Sequence, residues 1–235
     1  VLEGHAEASV FDTTTLGLSS FADILKQERI ELDSLSLLRQ KSVPKDASIV
    51  ALLGPKHELS ELESQALSEY VSKGGSLLVA VDTQTPELPF LSRVGFGMEK
   101  GIAVDERSMF PHWDRPIVQV TRHELTEDIF QAKIPVVLSG AVPLHITPQT
   151  GIRIHTLLSL SAKGWIDRDN QEGFNPDTDE RKQQPLAFAI EIDGSSKILE
   201  QSVRSSRIVV LSDVDMMRND LVREVSGNAP FWTSL

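Results

Sequence analysis

The stretch from Ser48 to Asp82 constrains the fold most strongly, because it has the pattern of a strand, a helix and a second strand. Short apolar runs over 48–53 and 77–81 are typical of strands that are buried on both faces of a parallel sheet. Between them, Ser60 and Glu63 have the spacing of a capping box, which predicts the start of a helix. We therefore expect a βαβ unit, whose crossover is right-handed in nearly all known proteins.

The helix of this unit should have one apolar face and should end at Gly74-Gly75, because glycine tolerates the left-handed conformation that often follows a helix. Polar residues at positions 61, 64, 68 and 72 are predicted to face solvent. The residues that recur at helical spacing, and so should be buried together, are Leu62, Ala66, Leu67, Tyr70 and Val71.

The two ends of the chain extend this α/β pattern. Candidate strands over 8–11 and 30–35 flank a helix that should begin near Ser19. Near the other end, the apolar run 207–211 predicts one more parallel strand, followed by a helix over 216–225. Together these elements predict an α/β fold with a doubly wound, mostly parallel sheet of the flavodoxin type.

The pattern is less regular over 83–206, where we expect a β-rich insertion. Short strands are predicted over 135–138, 144–146, 152–160 and 185–192, and those over 144–146 and 152–160 should be antiparallel. The stretch 167–184 is acidic, contains almost no apolar residues and is predicted to be a solvated loop. Residues 1–235 are accordingly expected to form a single α/β domain that carries this insertion.

Composition excludes several classes of function. The net charge of −11 argues against a nucleic-acid partner and against docking on anionic lipid, since both surfaces carry the same sign of charge. The chain has no cysteine, which excludes disulfides, thiolate metal sites and a cysteine nucleophile. No apolar run approaches the ~20 residues of a membrane span. The chain starts at Val1 and stops in a predicted helix, so we expect a piece of a longer protein whose flanking segments supply any membrane helices.

Polar residues follow several of the predicted strands, and ligands of open α/β sheets bind at this carboxyl edge. The candidate ligand-binding residues are Asp12, Thr13, Lys56, His57, Asp82, Asp213 and Asp215. The alternative interpretation is that these side chains cap helices and form Asx turns, as Asp, Ser and Thr do at most strand ends. Capping preferences favour that alternative.

Two motifs in the chain suggest specific chemistry. Ser212-Asp213-Val214-Asp215 after a strand resembles the aspartate pair of haloacid-dehalogenase-type phosphatases, in which one carboxylate attacks phosphorus and the next is the general acid, but Met216-Met217 departs from that pattern. The acidic loop offers carboxylates for Ca²⁺, yet its glycine is seventh from Asp167, whereas an EF-hand needs it sixth. We favour a solvated loop.

The aromatic residues and the histidines permit weaker inferences. Trp113 and Trp165 stand in polar surroundings, where they line a groove or cover the rim of the core; the second interpretation is favoured. The six histidines have no zinc-enzyme spacing. We assign no catalytic residue, no metal and no cofactor from the sequence.

Several stretches, in one order along most of the chain, carry a resemblance to a known family. They are Leu53-Gly54-Pro55-Lys56, Leu59-Ser60-x-x-Glu63, Tyr70-Val71-x-x-Gly74-Gly75-Ser76-Leu77-Leu78-Val79 with Asp82, His123-Glu124-Leu125-Thr126, residues 156–161 with Trp165, and residues 207–217 with Asn219 and Gly227-Asn228. The chain thereby resembles the auxiliary component of gliding-motility-type ABC transport systems, which is similar to the N-terminal region of an intraflagellar-transport protein. Glu124 departs from the proline that family members often carry at this position.

The resemblance implies a fold similar to class I glutamine amidotransferases, here without the cysteine nucleophile of those enzymes. It also implies a non-enzymatic, extracytoplasmic (periplasmic or cell-surface) domain that is anchored to the inner membrane in the full-length protein. Its expected partners are an ABC transporter permease and ATPase or envelope proteins. Two alternatives remain open, which are a hydrolase or phosphatase that uses Asp213 and Asp215, and a purely structural interaction module.

Overall fold

A seven-stranded mixed sheet with helices on both faces organises the protein. The computed structural model describes residues 1–234. The strands are β1 Ile49–Leu53, β2 Ser76–Ala80, β3 Phe96–Met98, β4 Ile102–Val104, β5 Ile117–Val120, β6 Val136–Val137, β7 Leu144–Ile146, β8 Ile152–Ser159, β9 Trp165–Asp167, β10 Glu180–Arg181, β11 Pro185–Asp193 and β12 Ser205–Leu211. The helices are α1 Ser19–Gln27, α2 Leu37–Gln40, α3 Glu61–Ser72, α4 Pro89–Ser92, α5 Glu127–Ala132, α6 Asn219–Glu224 and α7 Asn228–Ser234.

Three adjacent strands of this sheet are parallel. β1 pairs with β2, Val50 lying opposite Leu77, and β12 continues the parallel part, Leu211 lying opposite Ala80. The predicted βαβ unit is therefore confirmed, with α3 as its crossover, and so is the prediction that the C-terminal strand joins it.

The remaining strands of the sheet are antiparallel, so the prediction of a mostly parallel sheet is wrong. The strand order is β1-β2-β12-β11-β8-β5-β6, and each pairing from β12 to β6 is antiparallel. The physical reason lies in the segment 83–206, which supplies four of these strands but only the short helices α4 and α5. Parallel neighbours need a long, usually helical crossover, whereas antiparallel neighbours do not. The mixed α/β class is confirmed.

The predicted N-terminal strands over 8–11 and 30–35 do not form. Residues 1–8 instead run beside β1, with the backbone N–H of Leu2 donating to the carbonyl of Ala51 at 2.8 Å and that of Ala8 to Leu53 at 2.9 Å. Gly4 has a φ of 130° and Ala6 a φ of 57°, and these two residues interrupt an extended run. One β-bridge, from Leu2 to Leu35, joins this segment to the second predicted strand, and the Val1 ammonium group donates to the carbonyl of Asp33 at 2.6 Å.

Two hydrophobic clusters cover opposite faces of the sheet. Alternate residues of each central strand point to opposite clusters, as the pleat requires: Ile208 and Val210 face α3, whereas Val209 and Leu211 face α1 and α7. On the α1 side, β11 contributes the small residues Ala187 and Ala189. Both faces are therefore buried in the middle of the sheet, as the continuous apolar run of β12 predicts.

The capping box at the start of α3 forms as predicted, but the helix turns a different residue inward. Glu63 N–H donates to the Ser60 hydroxyl at 3.4 Å, and Ser60 N–H donates to Glu63 Oε2 at 2.9 Å. Leu62 is 75% exposed, so its predicted place on the buried face is wrong. Glu63 is only 3% exposed, because the cap and a histidine from the N-terminal segment hold its carboxylate inside.

Two small sheets lie beside the main one and position long loops. β4, β9 and β10 form a three-stranded sheet, and β3 pairs with β7. The loop after β4 and the acidic loop after β9 both start from the three-stranded sheet.

The boundaries of a single domain with an insertion over 83–206 stay a prediction. Within residues 1–234, no helix combines the length and apolarity needed to cross a membrane.

Candidate functional site

The carboxyl ends of β1, β2 and β12 meet closely, as expected for a parallel sheet, but they leave little room between them. Gly54 follows β1 with a φ of 62°, and a Cβ atom there would lie 2.8 Å from Val214 Cγ1 and 3.3 Å from Asp82 Oδ2. The residues that follow these three strands are therefore packed closely against one another. The edge where we predicted a ligand site is closed at its centre.

Asp213 is a structural carboxylate at this edge. It is 1% exposed, and its two oxygens accept from backbone N–H groups, Oδ2 from Ser139 at 2.6 Å and Oδ1 from Asp215 at 2.7 Å. Burial, together with the nearby Asp215 carboxylate, raises the pKa of Asp213 well above its usual value. An enclosed carboxylate that already holds two backbone donors cannot attack a phosphorus atom. The phosphatase alternative therefore loses its nucleophile.

Asp215 is half-buried and forms an ion pair with Arg218 Nη1 at 3.2 Å. Arg218 also donates to Asp220 at 2.7 Å and interrupts the helix that we predicted over 216–225, which consists of a 3₁₀ turn followed by α6. Burial is the main cause that raises the pKa of Asp215; Arg218 opposes the shift and Asp82 adds to it. Of the predicted site residues, Asp82, Asp213 and Asp215 are thus brought together.

The other predicted site residues do not join this group. Asp12 forms an Asx turn with the N–H of Thr14 at 2.8 Å, and Thr13 is exposed. Lys56 and His57 donate their backbone N–H groups to the carbonyl of a single residue, at 2.8 and 3.2 Å, and their side chains point to solvent. The structure does not bring these four residues into the group, and Asp12 forms the kind of turn that the alternative interpretation describes. Their role in ligand binding stays a prediction.

A buried cluster that sequence analysis missed lies next to α3. Both ring nitrogens of His5 contact carboxylates, Nδ1 with Glu7 at 3.0 Å and Nε2 with Glu63 at 3.2 Å, and all three side chains are buried. Each ring nitrogen therefore lies at hydrogen-bond distance from a carboxylate oxygen, and the cluster forms a clamp between the N-terminal segment and α3. Burial alone would raise the pKa of Glu63, but hydrogen bonds from Ser60 and His5 outweigh burial and lower it.

Two buried asparagines from the C-terminal motif are also structural. Asn219 accepts from the N–H of Ser20 at 2.6 Å and donates to the carbonyl of Thr14 at 2.6 Å, which fixes the start of α1. Asn228 accepts from the N–H of Val137 at 3.1 Å and donates to the carbonyl of Val137 at 3.0 Å. Its side-chain amide therefore makes the hydrogen bonds with β6 that a neighbouring strand would make. Both asparagine side chains therefore stabilise the fold.

An open aromatic cleft of about 260 Å³ lies beside the small three-stranded sheet. Its walls come from the end of β4, the loop that follows, β9 and the acidic loop. The lining residues are Val104, Asp105, Glu106, Ser108, Phe110, Pro111, His112, Trp113, Trp165, Glu172 and Gly173. Trp113 and Trp165 thus both line one groove, and Trp165 is also buried at the rim of the core, which agrees with the favoured interpretation of the sequence.

Backbone and side-chain hydrogen bonds hold the loop that carries Phe110 and Trp113. Met109 N–H donates to the carbonyl of Arg115 at 2.9 Å, and the Ser108 hydroxyl lies 2.6 Å from the Asp105 carbonyl oxygen. The Asp105 carboxylate in turn accepts from Ser161 N–H at 2.7 Å. At the tip, Phe110 is 94% exposed, which is unusual for a phenylalanine in a well-anchored turn. The fold therefore presents this ring to solvent.

The ionisable side chains at the cleft differ in whether they already form ion pairs. Glu106 is paired with Lys163 at 2.8 Å and with Arg181 at 3.6 Å, and the Lys163 hydrogen bond lowers the pKa of Glu106. Glu172 and His112 are exposed at the cleft. The arrangement offers aromatic faces flanked by a carboxylate and an imidazole. It suits binding through stacking and hydrogen bonds.

Comparison with solved structures finds similar folds at low identity. The mmIFT52 N-terminal domain superposes with a TM-score of 0.67 at 14% identity, covering 97% of this chain and 91% of that one. A ThuA-like protein from Bacteroides uniformis gives a TM-score of 0.53 at 15% identity, covering 92% and 79%. The exo-β-1,4-mannosidase Op5Man5 from an Opitutaceae bacterium gives 0.50 at 12%, covering 90% of this chain but 30% of that enzyme. These similarities concern the fold alone.

Comparison by sequence identifies a family. No curated protein gives a significant match. A family model described as an ABC-type uncharacterized transport system matches residues 1–233. This match, together with the similarity to the mmIFT52 domain, confirms the ABC-transport-auxiliary and intraflagellar-transport parts of the resemblance that the sequence motifs indicate. The gliding-motility and glutamine-amidotransferase-like parts of that resemblance stay predictions. Because the family model covers nearly the whole chain, the protein belongs to the family of ABC-type uncharacterized transport systems.

Proposed function

We propose that this chain is a non-catalytic recognition domain of an ABC-type transport system, and that its aromatic cleft binds the ligand. The observation that carries the proposal is the cleft itself, with a solvent-exposed Phe110 beside Trp113, Trp165 and the free side chains of His112 and Glu172. The strand-end aspartates offer no competing site, because Asp213 is enclosed and bonded to the backbone.

The chemistry of the cleft favours a neutral oligosaccharide over other ligands. Aromatic rings stack on the C–H faces of pyranose rings, while a carboxylate and an imidazole hydrogen-bond to hydroxyl groups. An anionic ligand would meet Glu172 and the overall charge of −11.

The finer features of this proposal come from the family. An extracytoplasmic position, attachment to the inner membrane through segments that flank this chain, and contact with a permease, an ATPase or envelope proteins all belong to the proposal. So does the class I glutamine-amidotransferase-like ancestry of the fold, without its cysteine. Cleavage of the full-length protein in intact and permeabilised cells by added protease would test the position of the domain.

The direct test is binding of the purified chain to a glycan array and to a peptide array, followed by titration of the best ligand. Phe110→Ala and Trp113→Ala should each weaken glycan binding about tenfold, as loss of one stacking partner does. Phe11→Ala is the matched control, because Phe11 is another exposed phenylalanine but does not line the cleft.

Each outcome decides for or against the proposal. Glycan binding that falls in the two cleft variants and persists in Phe11→Ala supports it. Binding to peptides alone, binding that is insensitive to the cleft variants, or turnover of a glycan by the purified chain would each overturn it. A partner that binds with equal affinity when both cleft aromatics are alanine would favour the purely structural interaction module.

A further inference from the structure

The acidic loop contains a compact group of carboxylates. Asp167 ends β9, and Asp169 and Asp179 come from the loop that follows. One oxygen atom of each of these residues lies within 4.8 Å of the others. Three carboxylates this close repel one another strongly unless a proton or a cation lies between them.

The innermost carboxylate of this group is incompletely satisfied. Asp167 is 1% exposed; its Oδ1 accepts from the N–H groups of Asp169 at 3.0 Å and Asn170 at 2.8 Å. Its other oxygen, Oδ2, is enclosed and has no hydrogen-bond donor among the described residues. Burying a carboxylate oxygen without a partner is costly, so this position calls for a positive ligand.

We propose that Asp167, Asp169 and Asp179 bind one hard divalent cation, with Ca²⁺ as the best fit. All donors in the group are oxygen atoms, which are the ligands that Ca²⁺ prefers. Oxygens that share one Ca²⁺ at ~2.3–2.6 Å are at most about 5 Å apart, a limit that the three carboxylates meet.

Hydrogen bonds to Asp169 shape the loop before any ion binds. Thr178 donates its hydroxyl to Asp169 at 3.0 Å, and the Asn175 amide donates to the same carboxylate at 2.6 Å.

The proposed ion lies at the root of one wall of the aromatic cleft. Glu172 and Gly173 line the cleft, and Phe174 packs edge-on against Trp165 with ring centroids 6.1 Å apart. A bound cation would fix this wall relative to β9. The cation site rests on its own carboxylates and does not depend on what the cleft binds.

The experiment is titration of the chelator-treated chain with CaCl₂ by calorimetry, and with Tb³⁺ by luminescence. Trp165 lies two residues before Asp167, so its excitation should sensitise Tb³⁺ in this site. We expect one ion per chain. Asp169→Asn and Asp179→Asn should each weaken binding by at least about tenfold, since each removes a charged ligand.

Asp177→Asn is the matched control, because it removes the same charge from an exposed position in the same loop. Its affinity should stay within about twofold of the wild type, as expected for a charge that is not a ligand. Thermal unfolding in chelator establishes that each variant folds. The proposal is overturned by the lack of binding up to about 10 mM Ca²⁺, above the weak range of extracellular sites. Several ions per chain, or equal loss in Asp177→Asn, would overturn it as well.

Discussion

The Oδ2 atom of Asp213 lies 2.6 Å from the backbone nitrogen of Ser139. This hydrogen bond connects the end of β12 to the chain just after β6, two strands that lie far apart in the order of the sheet. The second oxygen holds the N–H of Asp215 at 2.7 Å. A carboxylate in the position of a catalytic aspartate therefore serves as a cross-link between the parallel and antiparallel parts of the fold.

Removing this carboxylate should destabilise the protein. Asp213→Ala leaves two part-buried N–H groups without their acceptor, and we expect the free energy of unfolding to fall by about 2–4 kcal/mol. Urea unfolding followed by circular dichroism measures the change. Asp215→Ala is the control, because its ion pair with Arg218 is partly exposed and should contribute less than about 1 kcal/mol. Equal losses in the two variants would contradict a cross-linking role for Asp213.

Asn228 should stabilise the protein as much as Asp213 does, because it binds the edge strand β6. Its amide makes three hydrogen bonds, to the N–H and carbonyl of Val137 and to the carbonyl of Met216, and it is fully buried. Asn228→Ala should lower the free energy of unfolding by about 2–4 kcal/mol. Gln131→Ala removes an exposed amide from α5 and should cost less than about 0.5 kcal/mol. A loss for Asn228→Ala as small as that of the control would show that water replaces the amide.

Local signals predicted the elements they control directly. Ser60 and Glu63 marked the start of α3, and both hydrogen bonds of the capping box are present. The apolar run of β12 predicted a strand that is buried on both faces. These predictions succeed because the interactions lie within one turn of helix or alternate along one strand.

Interactions between distant parts of the chain were not predictable from the same signals. Glu63 is buried because His5, 58 positions away, contacts its carboxylate, whereas helical spacing placed Leu62 inside. The strand-end rule brought Asp82 and Asp213 to one edge correctly, but Ser139, which occupies the Asp213 carboxylate, is 74 positions away. Likewise, no spacing signal relates Trp113 to Trp165 across the cleft.

The exposed and the buried aromatic residues of the cleft should differ in how much they contribute to the free energy of unfolding. Phe110 is 94% exposed, so Phe110→Ser should change the free energy of unfolding by less than about 0.5 kcal/mol. Trp165→Ala should lower it by about 3–5 kcal/mol, because that ring is buried against Phe174 and under Arg181. Chemical unfolding of both variants measures the difference. A large loss for Phe110→Ser would mean that the ring serves the fold rather than a ligand.

The clamp between His5 and Glu63 should make the free energy of unfolding depend on pH in acid. The pKa of Glu63 is lowered in the folded protein, because hydrogen bonds from Ser60 and His5 outweigh the effect of burial. The unfolded chain therefore binds a proton more readily, and the stability that this group contributes is present above its unfolded value of 4.5 and is lost as pH falls through the lower folded value. Acid should weaken the clamp in the wild type.

Glu63→Gln tests this dependence, since the amide keeps the size of the side chain but does not titrate. The wild type should lose stability relative to the variant as pH falls below about 4.5. Urea unfolding from neutral pH to about pH 3, below the ordinary pKa of a glutamate, measures the difference. Glu61→Gln, two residues before Glu63 and exposed, serves as the control and should follow the wild type. Parallel curves for wild type and Glu63→Gln would contradict the clamp, because they would mean that the Glu63 carboxylate binds protons equally in both states.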